Sequence, residues 1–350
     1  MKIVVVNRSF ERIGMIENAS VIWASRYYKC GDFQLKFTST NENLELIKSG
    51  YFIVRDDDED NVGVIEDFYI SKNESDGGKV IVTGKFAPML LGKRIIEKQT
   101  QMYGNVESNI KNLINANVIN PDKSCRVIDC VELAPKNPNI TEKINMQTTG
   151  DNLLTKIEEI SETYGLGFKM PMIDNKLKFT MYKGVDRSYN QTANPWVIFS
   201  DVYDNLKEPE YSYQTSEYKN VFLIATEGEG LDRKTLWGSA QDNESEITGL
   251  DRNEIYVDQR NMSSNEEDIT EEEFEEQMNE EGKTNLTTIS EAFSGAISPQ
   301  GYEYKKHYFL GDIVTIQVKE WNNIYANVRI IEAIESEDEN GKVLTLTYGK

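Results

Sequence analysis

Hydrophobic period two at both ends of the chain is the feature that most narrows the fold. SVIWASRYYK (Val21, Trp23, Tyr27), DFQLKFT (Phe33, Leu35, Phe37), YFIVR, VGVIEDFYI and KVIVTGKFA alternate apolar with polar side chains within the first hundred residues. Such alternation buries one face of a β-strand and leaves the other in solvent. Turn signals stand between the runs: Cys30-Gly31-Asp32, the acidic run Asp56 to Asn61, and Asn73 to Gly78. The strands are therefore expected to join mostly as hairpins, in a small antiparallel barrel or sandwich over residues 1–100. HYFLGDIVTIQV, IYANVRIIEAIE and KVLTLTYGK repeat the texture over 301–350, with Asp338-Glu339-Asn340-Gly341 as a hairpin signal. Trp23, Phe33, Leu35, Ile65, Ile313, Val328 and Ile330 are the expected core positions.

The period changes between these ends. SNIKNLINANVI sets Ile110, Leu113, Ile114 and Val118 at helical spacing. DNLLTKIEEISETYG does so more clearly, with Asp151 as N-cap, an apolar stripe of Leu153, Leu154, Ile157, Ile160 and Tyr164, and Gly165 as the stop. KLKFTMYKGVDRS adds a strand with Leu177, Phe179 and Met181 on one face. Residues 101–200 thus read as an inserted mixed α/β unit, and 201–261 as strands returning to the second β region. Residues 262–300 form an acidic helical insertion, since Glu266 to Glu281 carries ten carboxylates and no Lys or Arg. There Thr270 to Glu273 matches a capping box, Phe274 and Met278 give a narrow apolar edge, and Leu286, Ile289 and Phe293 continue the stripe. The expected placement is a solvated surface helix.

Charge and residue counts exclude several functions. Against 38 basic residues stand 59 acidic ones, a net charge of −21, which disfavours a grip on nucleic acid or an anionic membrane. No stretch approaches the ~20 apolar residues of a membrane span. MKIVVVN is too short for a signal-peptide core and reads as a first strand, so synthesis in the cytoplasm is expected. One histidine, His307, rules out sites built on two imidazoles. Cys30, Cys125 and Cys130 lack the partners of a structural zinc site and read as reduced, buried or half-buried thiols. Asp56, Asp58, Asp60 and Asp67 fall at calcium-loop spacing, yet position six is Asn61 and the flanks alternate like strands; a solvated hairpin tip is the better reading. Gly78 to Gly84 misses phosphate-loop spacing, and Gly228-Glu229-Gly230 has Arg233 where a dinucleotide fingerprint needs glycine. Catalytic, cofactor and metal sites are therefore all expected to be absent. Paired carboxylates for glycan hydrolysis, or Trp196, Trp237 and Trp321 as a glycan-binding row, are the competing readings, with Trp23 assigned to the core.

Two stretches carry a family resemblance. SVIWASRYYKCGDFQL followed by NLELIKSGYFIVRDDDEDNVGVIEDFYI resembles the opening of the siphophage tail-hub family, the trimeric baseplate hub proteins at the tail tip. GLDRNEIYVDQRN, a Glu-rich helix, YEYKKHYFLGDIVTIQV, ANVRIIEAIE and LTYGK resemble its closing region, and the middle carries the family's helix-plus-hairpin texture in DNLLTKIEEISETYGLGFKM and YKGVDRS. The resemblance implies a mainly β fold with α+β insertions, two small antiparallel β-barrels of tail-tube type, and insertions on the outside of a ring. It implies a structural, non-enzymatic homotrimer of a phage or phage-tail-like particle. Expected partners are the distal tail protein, the tape-measure protein and receptor-binding or baseplate proteins, with genomic DNA only as transiting cargo and no membrane anchor. Its place would be the virion tail tip, after assembly in the bacterial host cytoplasm. Some relatives append a peptidoglycan-cleaving domain; with the closing strands running to Lys350, none is expected here.

Overall fold

The structure, a computed structural model, describes residues 2–73, 77–228, 233–241, 243–263, 269–298, 301–321 and 324–349. The N-terminal part contributes β1 (Ile3–Val6), β2 (Arg12–Ile16), β3 (Ser20–Arg26), β4 (Asp32–Thr38), the short helix α1 (Asn41–Glu45), β5 (Phe52–Arg55), β6 (Asp58–Asn73) and β7 (Gly77–Phe86). The middle holds β8 (Thr100–Asn105), α2 (Val106–Ile114), β9 (Val131–Leu133), β10 (Lys143–Thr148), α3 (Leu153–Tyr164), β11 (Gly167–Lys169), β12 (Met172–Ile173) and β13 (Lys176–Tyr182). Then follow β14 (Ile198–Ser200), β15 (Leu206–Gln214), β16 (Val221–Ala225), β17 (Thr235–Ser239), β18 (Glu254–Asp258), α4 (Glu271–Thr284), β19 (Ser290–Ile297), β20 (Ile313–Val318), β21 (Ile324–Asp338) and β22 (Gly341–Gly349). The fold is mainly β with helical insertions.

The expected pair of closed barrels is corrected by the ladder. Among the described residues one open sheet of 13 strands runs β15-β19-β22-β21-β3-β4-β7-β6-β5-β1-β2, with β20 added to β21 and β14 to β20. The reason lies in β21. A bulge between Ile330 and Glu332 divides it; its first half pairs with β20 and its second half with β3, Glu335 standing opposite Trp23. Backbone groups that would close each half on itself bond the other half instead. The sheet still carries two separate cores, one around Trp23, Phe33, Leu35 and Ile65, the other around Phe199, Val314, Val328 and Ile330. Ile313, expected inside, is only half-buried, because the core face of β20 is set one residue later by Val314, Ile316 and Val318.

The hairpin signals behave as expected where they are described. Glu339 and Asn340 link β21 to β22, and Gly341 takes φ +124°. Glu74, Ser75 and Asp76 of the β6–β7 connection lie outside the described residues.

The core of the middle unit, with Ile110, Leu113, Ile157, Ile160, Leu177 and Phe179, is continuous with Val6, Phe52, Val62 and Val64 of the N-terminal strands. Asp151 is not the cap of α3: Asn152 is, accepting the Leu154 and Thr155 N–H groups, while Asp151 accepts the Thr148 hydroxyl. Gly165 ends the helix at φ +66°.

Residues 201–261 divide. β15 joins the main sheet, whereas β16, β17 and β18 form a separate three-stranded sheet that packs on α4 through Phe222, Ile224, Val257, Phe274 and Met278. Thr270 and Glu273 form the expected capping box. The helical stripe stops at Thr284, however, and Phe293 sits in β19 between Tyr211 and Tyr348. Glu266, Glu267 and Asp268 lie outside the described residues. No described helix is long and apolar enough to cross a membrane.

Candidate functional site

The chemistry concentrates where the two cores meet, along the β3–β21 seam. Trp23 is fully buried, its ring 5.6 Å from that of Phe33 and 4.7 Å from that of Phe86. Its indole N–H donates to Asp58 at 2.8 Å. The same carboxylate accepts the backbone N–H groups of Asp60 (3.0 Å) and Asn61 (3.3 Å) and lies 3.5 Å from the Lys305 ammonium. A buried carboxylate needs this many donors to offset its lost hydration.

Arg55 is the second element of the seam. Its fully buried side chain lies 5.3 Å from the centre of the Trp23 ring and forks to Asp57 at 2.9 Å and Glu335 at 3.1 and 3.3 Å. Lys305 also meets Glu335, at 3.0 Å. Burial by itself would lower the Arg55 pKa, but Asp57 and Glu335 outweigh it and hold the guanidinium above its usual range. Burial would likewise raise the Asp57 carboxyl; the hydrogen bond from Arg55 holds it below the usual carboxylate range. The network joins β5 and the turn after it to β21, so it ties the first hundred residues to the last fifty.

Tyr27 clamps a third segment to the seam. Its hydroxyl donates to the Gly165 carbonyl and accepts the Gly184 N–H, each at 3.0 Å, and the Arg329 guanidinium lies 5.4 Å from its ring centre. The ring lies against Gly167 and Gly311, where any side chain would collide with it, and Gly311 also takes φ +93°. Beside this clamp opens a cleft of about 270 Å³ lined by Asn61, Lys169, Tyr182, Arg187, Tyr304 and Lys305 among others. Its cations are already matched: Lys169 with Asp60 at 2.5 Å, Arg187 with Asp312 at 2.7 Å and Lys305 with Glu335. Burial raises the Tyr182 and Tyr304 phenols well above their usual range. The arrangement is that of a structural joint.

The residues singled out from sequence are dispersed. The solvated tip is found at Asp56 and Asp57, which form an exposed turn, with Glu59 and Asp60 also exposed; Asp58, where β6 begins, departs from that reading at 2% exposed. Asp56 accepts the Lys2 N–H, and Asp67 lies in β6 opposite Thr83. No group of three or more His, Cys, Asp or Glu among the described residues is arranged to hold a metal. His307 is exposed, and its Nδ1 accepts the Glu303 backbone N–H at 2.8 Å. Gly78 and Gly84 belong to strand β7, while Glu229 and Gly230 lie outside the described residues. Trp321 is half-buried on the C-terminal core; Trp196 and Trp237 are exposed, one beside Tyr189 and the other under Arg252, in different parts of the fold.

The thiols differ from the expectation at one position. All three are free; burial first, then Glu158, pushes the Cys30 thiol up to about 12, and burial raises Cys130, but Cys125 is exposed. Only a thiolate attacks an alkylating reagent. At pH 8 maleimide should therefore add once, at Cys125, and Cys125→Ser should leave no fast site, read by intact mass; rapid modification of Cys30 would contradict its buried placement.

Reading the sequence did not single out Arg55 or the glycine clamp. The available signals were an arginine inside the apolar run YFIVR and the lone glycines of YKGVDRS and YFLGDIV.

A family model described as siphovirus ReqiPepy6 Gp37-like protein matches residues 2–350. No curated protein matches the chain in sequence. Among solved structures, the prophage tail protein gp18 from Listeria monocytogenes EGD-e is 12% identical, with 99% of this chain and 94% of that one covered at TM-score 0.54. The tail protein from Neisseria meningitidis MC58 is 14% identical, covering 100% and 97% at TM-score 0.56. The 43 kDa tail protein of prophage MuSo2 from Shewanella oneidensis is 13% identical, covering 99% and 98% at TM-score 0.57. At such identities the likeness is one of fold. The match over nearly every residue means that the chain belongs to the siphovirus ReqiPepy6 Gp37-like family, on a fold shared with phage tail proteins.

Proposed function

We propose that this tail protein is a hub subunit of the tail tip, three copies of which form a ring that continues the tail tube. The observation that carries the reading is an open strand edge. β5 pairs with β6 only as far as Val64, and from Glu66 to Asn73 the outer side of β6 has no partner strand among the described residues. Phe68, Tyr69 and Ile70 on this stretch are 48%, 64% and 47% exposed. A long apolar edge is a template for another strand unless it is blunted. Of the two terminal strands of the sheet, β15 and β2, β15 is blunted by Pro209 and by a bulge with Glu208 at φ +48°. A head-to-tail contact repeated by rotation closes into a ring.

In that ring the two halves of the open sheet would complete tail-tube-type barrels against neighbouring copies, with 101–200 and 262–300 outside. Distal tail, tape-measure and receptor-binding proteins would be its partners in the virion, after assembly in the host cytoplasm. DNA would pass a surface poor in the Lys/Arg contacts that make it stick. The work is mechanical, without turnover.

Light scattering on the purified chain tests the ring. A trimer of 40.1 kDa subunits has a mass of about 120 kDa, and Phe68→Lys with Ile70→Lys should return the mass to 40.1 kDa with circular dichroism unchanged. A wild-type chain that stays monomeric at tens of micromolar, or a doubly substituted chain that still trimerises, would remove this edge from the argument.

A further inference from the structure

Two buried ion pairs of the same chemistry are solvated by the protein very differently. Glu107 and Lys111 of α2 lie 2.6 Å apart, and every remaining need is met: the second Glu107 oxygen accepts the Asn137 N–H at 2.8 Å, and Lys111 donates to the Ala134 and Pro135 carbonyls. Lys156 of α3 and Glu281 of α4 are separated by 3.5 Å and are as deeply buried. Glu281 accepts one hydrogen bond from Gln259 at 2.6 Å, and its other oxygen has no partner.

The shortfall extends along the whole contact. α4 presents two faces. Phe274 and Met278 enter the core of the β16–β18 sheet, while Glu276, Gln277, Glu280 and Glu281 lie toward the inserted unit. Glu276 accepts from Asn145 of β10 at 2.9 Å and Glu280 from Tyr164 of α3 at 3.2 Å. Gln147, two residues beyond Asn145 on the same face of β10, is buried with neither amide atom partnered, and the Gln277 amide oxygen is unpartnered as well. The cores on the two sides are separate clusters. An interface that buries polar groups without bonding them is strained toward opening, because water would satisfy what the protein does not.

The connections allow that opening. The chain leaves the main sheet after β15 and returns before β19, and these two crossings run side by side, Lys219 and Thr287 exchanging backbone hydrogen bonds. They make a two-strand hinge.

We propose that β16–β18 and α4 swing off the inserted unit as one body about this hinge, with the Lys156–Glu281 pair as the latch, baring Asn145, Gln147 and Lys156. Asp151 and Glu159, 3.7 and 2.9 Å from Lys156, compete for the same ammonium and keep it on the inserted unit when the latch opens. No chemistry beyond ion pairing is involved.

Carbodiimide footprinting of the wild-type chain with glycine ethyl ester tests this without mutation. Both Glu281 and Glu107 are shielded in the closed form, so equal modification rates would mean that both wait for global unfolding, and would overturn the proposal. The expected result is Glu281 modified about tenfold faster or more, since local opening needs less free energy than global unfolding. A second readout uses Gln147→Cys in a Cys125→Ser background. Its maleimide labelling should outpace that of Cys30, and Lys156→Met with Glu281→Leu, which makes the contact apolar, should slow it; labelling no faster than Cys30 in the native protein would also overturn the proposal.

Discussion

Trp23→Ala should lower the free energy of unfolding by about 3–5 kcal/mol, the usual cost of truncating a large buried side chain. The ring fills the space between Phe33 and Phe86 and forms the floor on which Arg55 lies. Its removal also leaves Asp58 short of its indole donor. Trp23→Phe separates the two effects, because it keeps most of the volume but not the N–H; about 1 kcal/mol is expected for the lost hydrogen bond alone, since Asp58 keeps the Asp60 and Asn61 N–H groups and Lys305. Urea denaturation of both variants is the measurement. A loss of less than about 1 kcal/mol in the alanine variant, within the range of ordinary surface substitutions, would mean that the N-terminal core is not organised around this ring.

Arg55→Ala should be comparably damaging, at about 3–5 kcal/mol, because removing one member of a buried network strands the others. Glu335 would keep Lys305 and Asp57 would keep only a distant Lys342, 3.7 Å away, so the lower end of that range is expected. The pH dependence has a definite sign. Arg55 depresses the Asp57 pKa in the folded state, so this contribution is present above the unfolded carboxylate value of about 3.9 and is lost as pH falls through the lower folded value. The wild-type chain should therefore lose stability in acid more steeply than Arg55→Ala does. Identical acid slopes would place the guanidinium outside the network, as would additive effects of Arg55→Ala and Glu335→Ala in a double-mutant cycle.

Much of the local structure was legible because it depends on near neighbours along the chain. Alternation located β3, β4, β7, β13, β20 and β22; helical spacing located α2 and α3; and the Thr270–Glu273 pair marked the start of α4. The errors have particular causes. Asp151 and Asn152 are both good caps, and only the turn geometry decides that Asn152 faces the free N–H groups. Asp58 alone of the run Asp56 to Asp60 escapes the solvated reading, because polar residues in a row carry no sign that Trp23, thirty-five residues earlier, needs one of them as an acceptor. Most α4 carboxylates are solvated as expected, Glu271, Glu272, Glu273, Glu275 and Glu276 being exposed, but Glu281 is buried against Lys156, a neighbour far away in sequence.

Local patterns specify a mainly β chain with α/β insertions and no two-histidine chemistry, and the motifs, in order, resemble a siphophage family. The fold class and the excluded chemistry follow from side-chain periodicity, counts and local turn chemistry, which need no knowledge of distant contacts; the family is what the resemblance implies. Tertiary structure alone decided that the two ends share one open sheet in place of two barrels, since that rests on which strand β21 chooses beyond its bulge. It alone decided that Arg55, Asp58 and Glu335 meet under Trp23, that Tyr27 is held among Gly165, Gly184 and Gly311, and that β6 keeps an edge with no partner strand among the described residues. Each of these is a pairing between residues tens to hundreds of positions apart, and the physical reason is common to all: backbone hydrogen bonding and ion pairing reward whichever partner the packed cores bring near, so the choice is made by the assembled sheet and not by the segment.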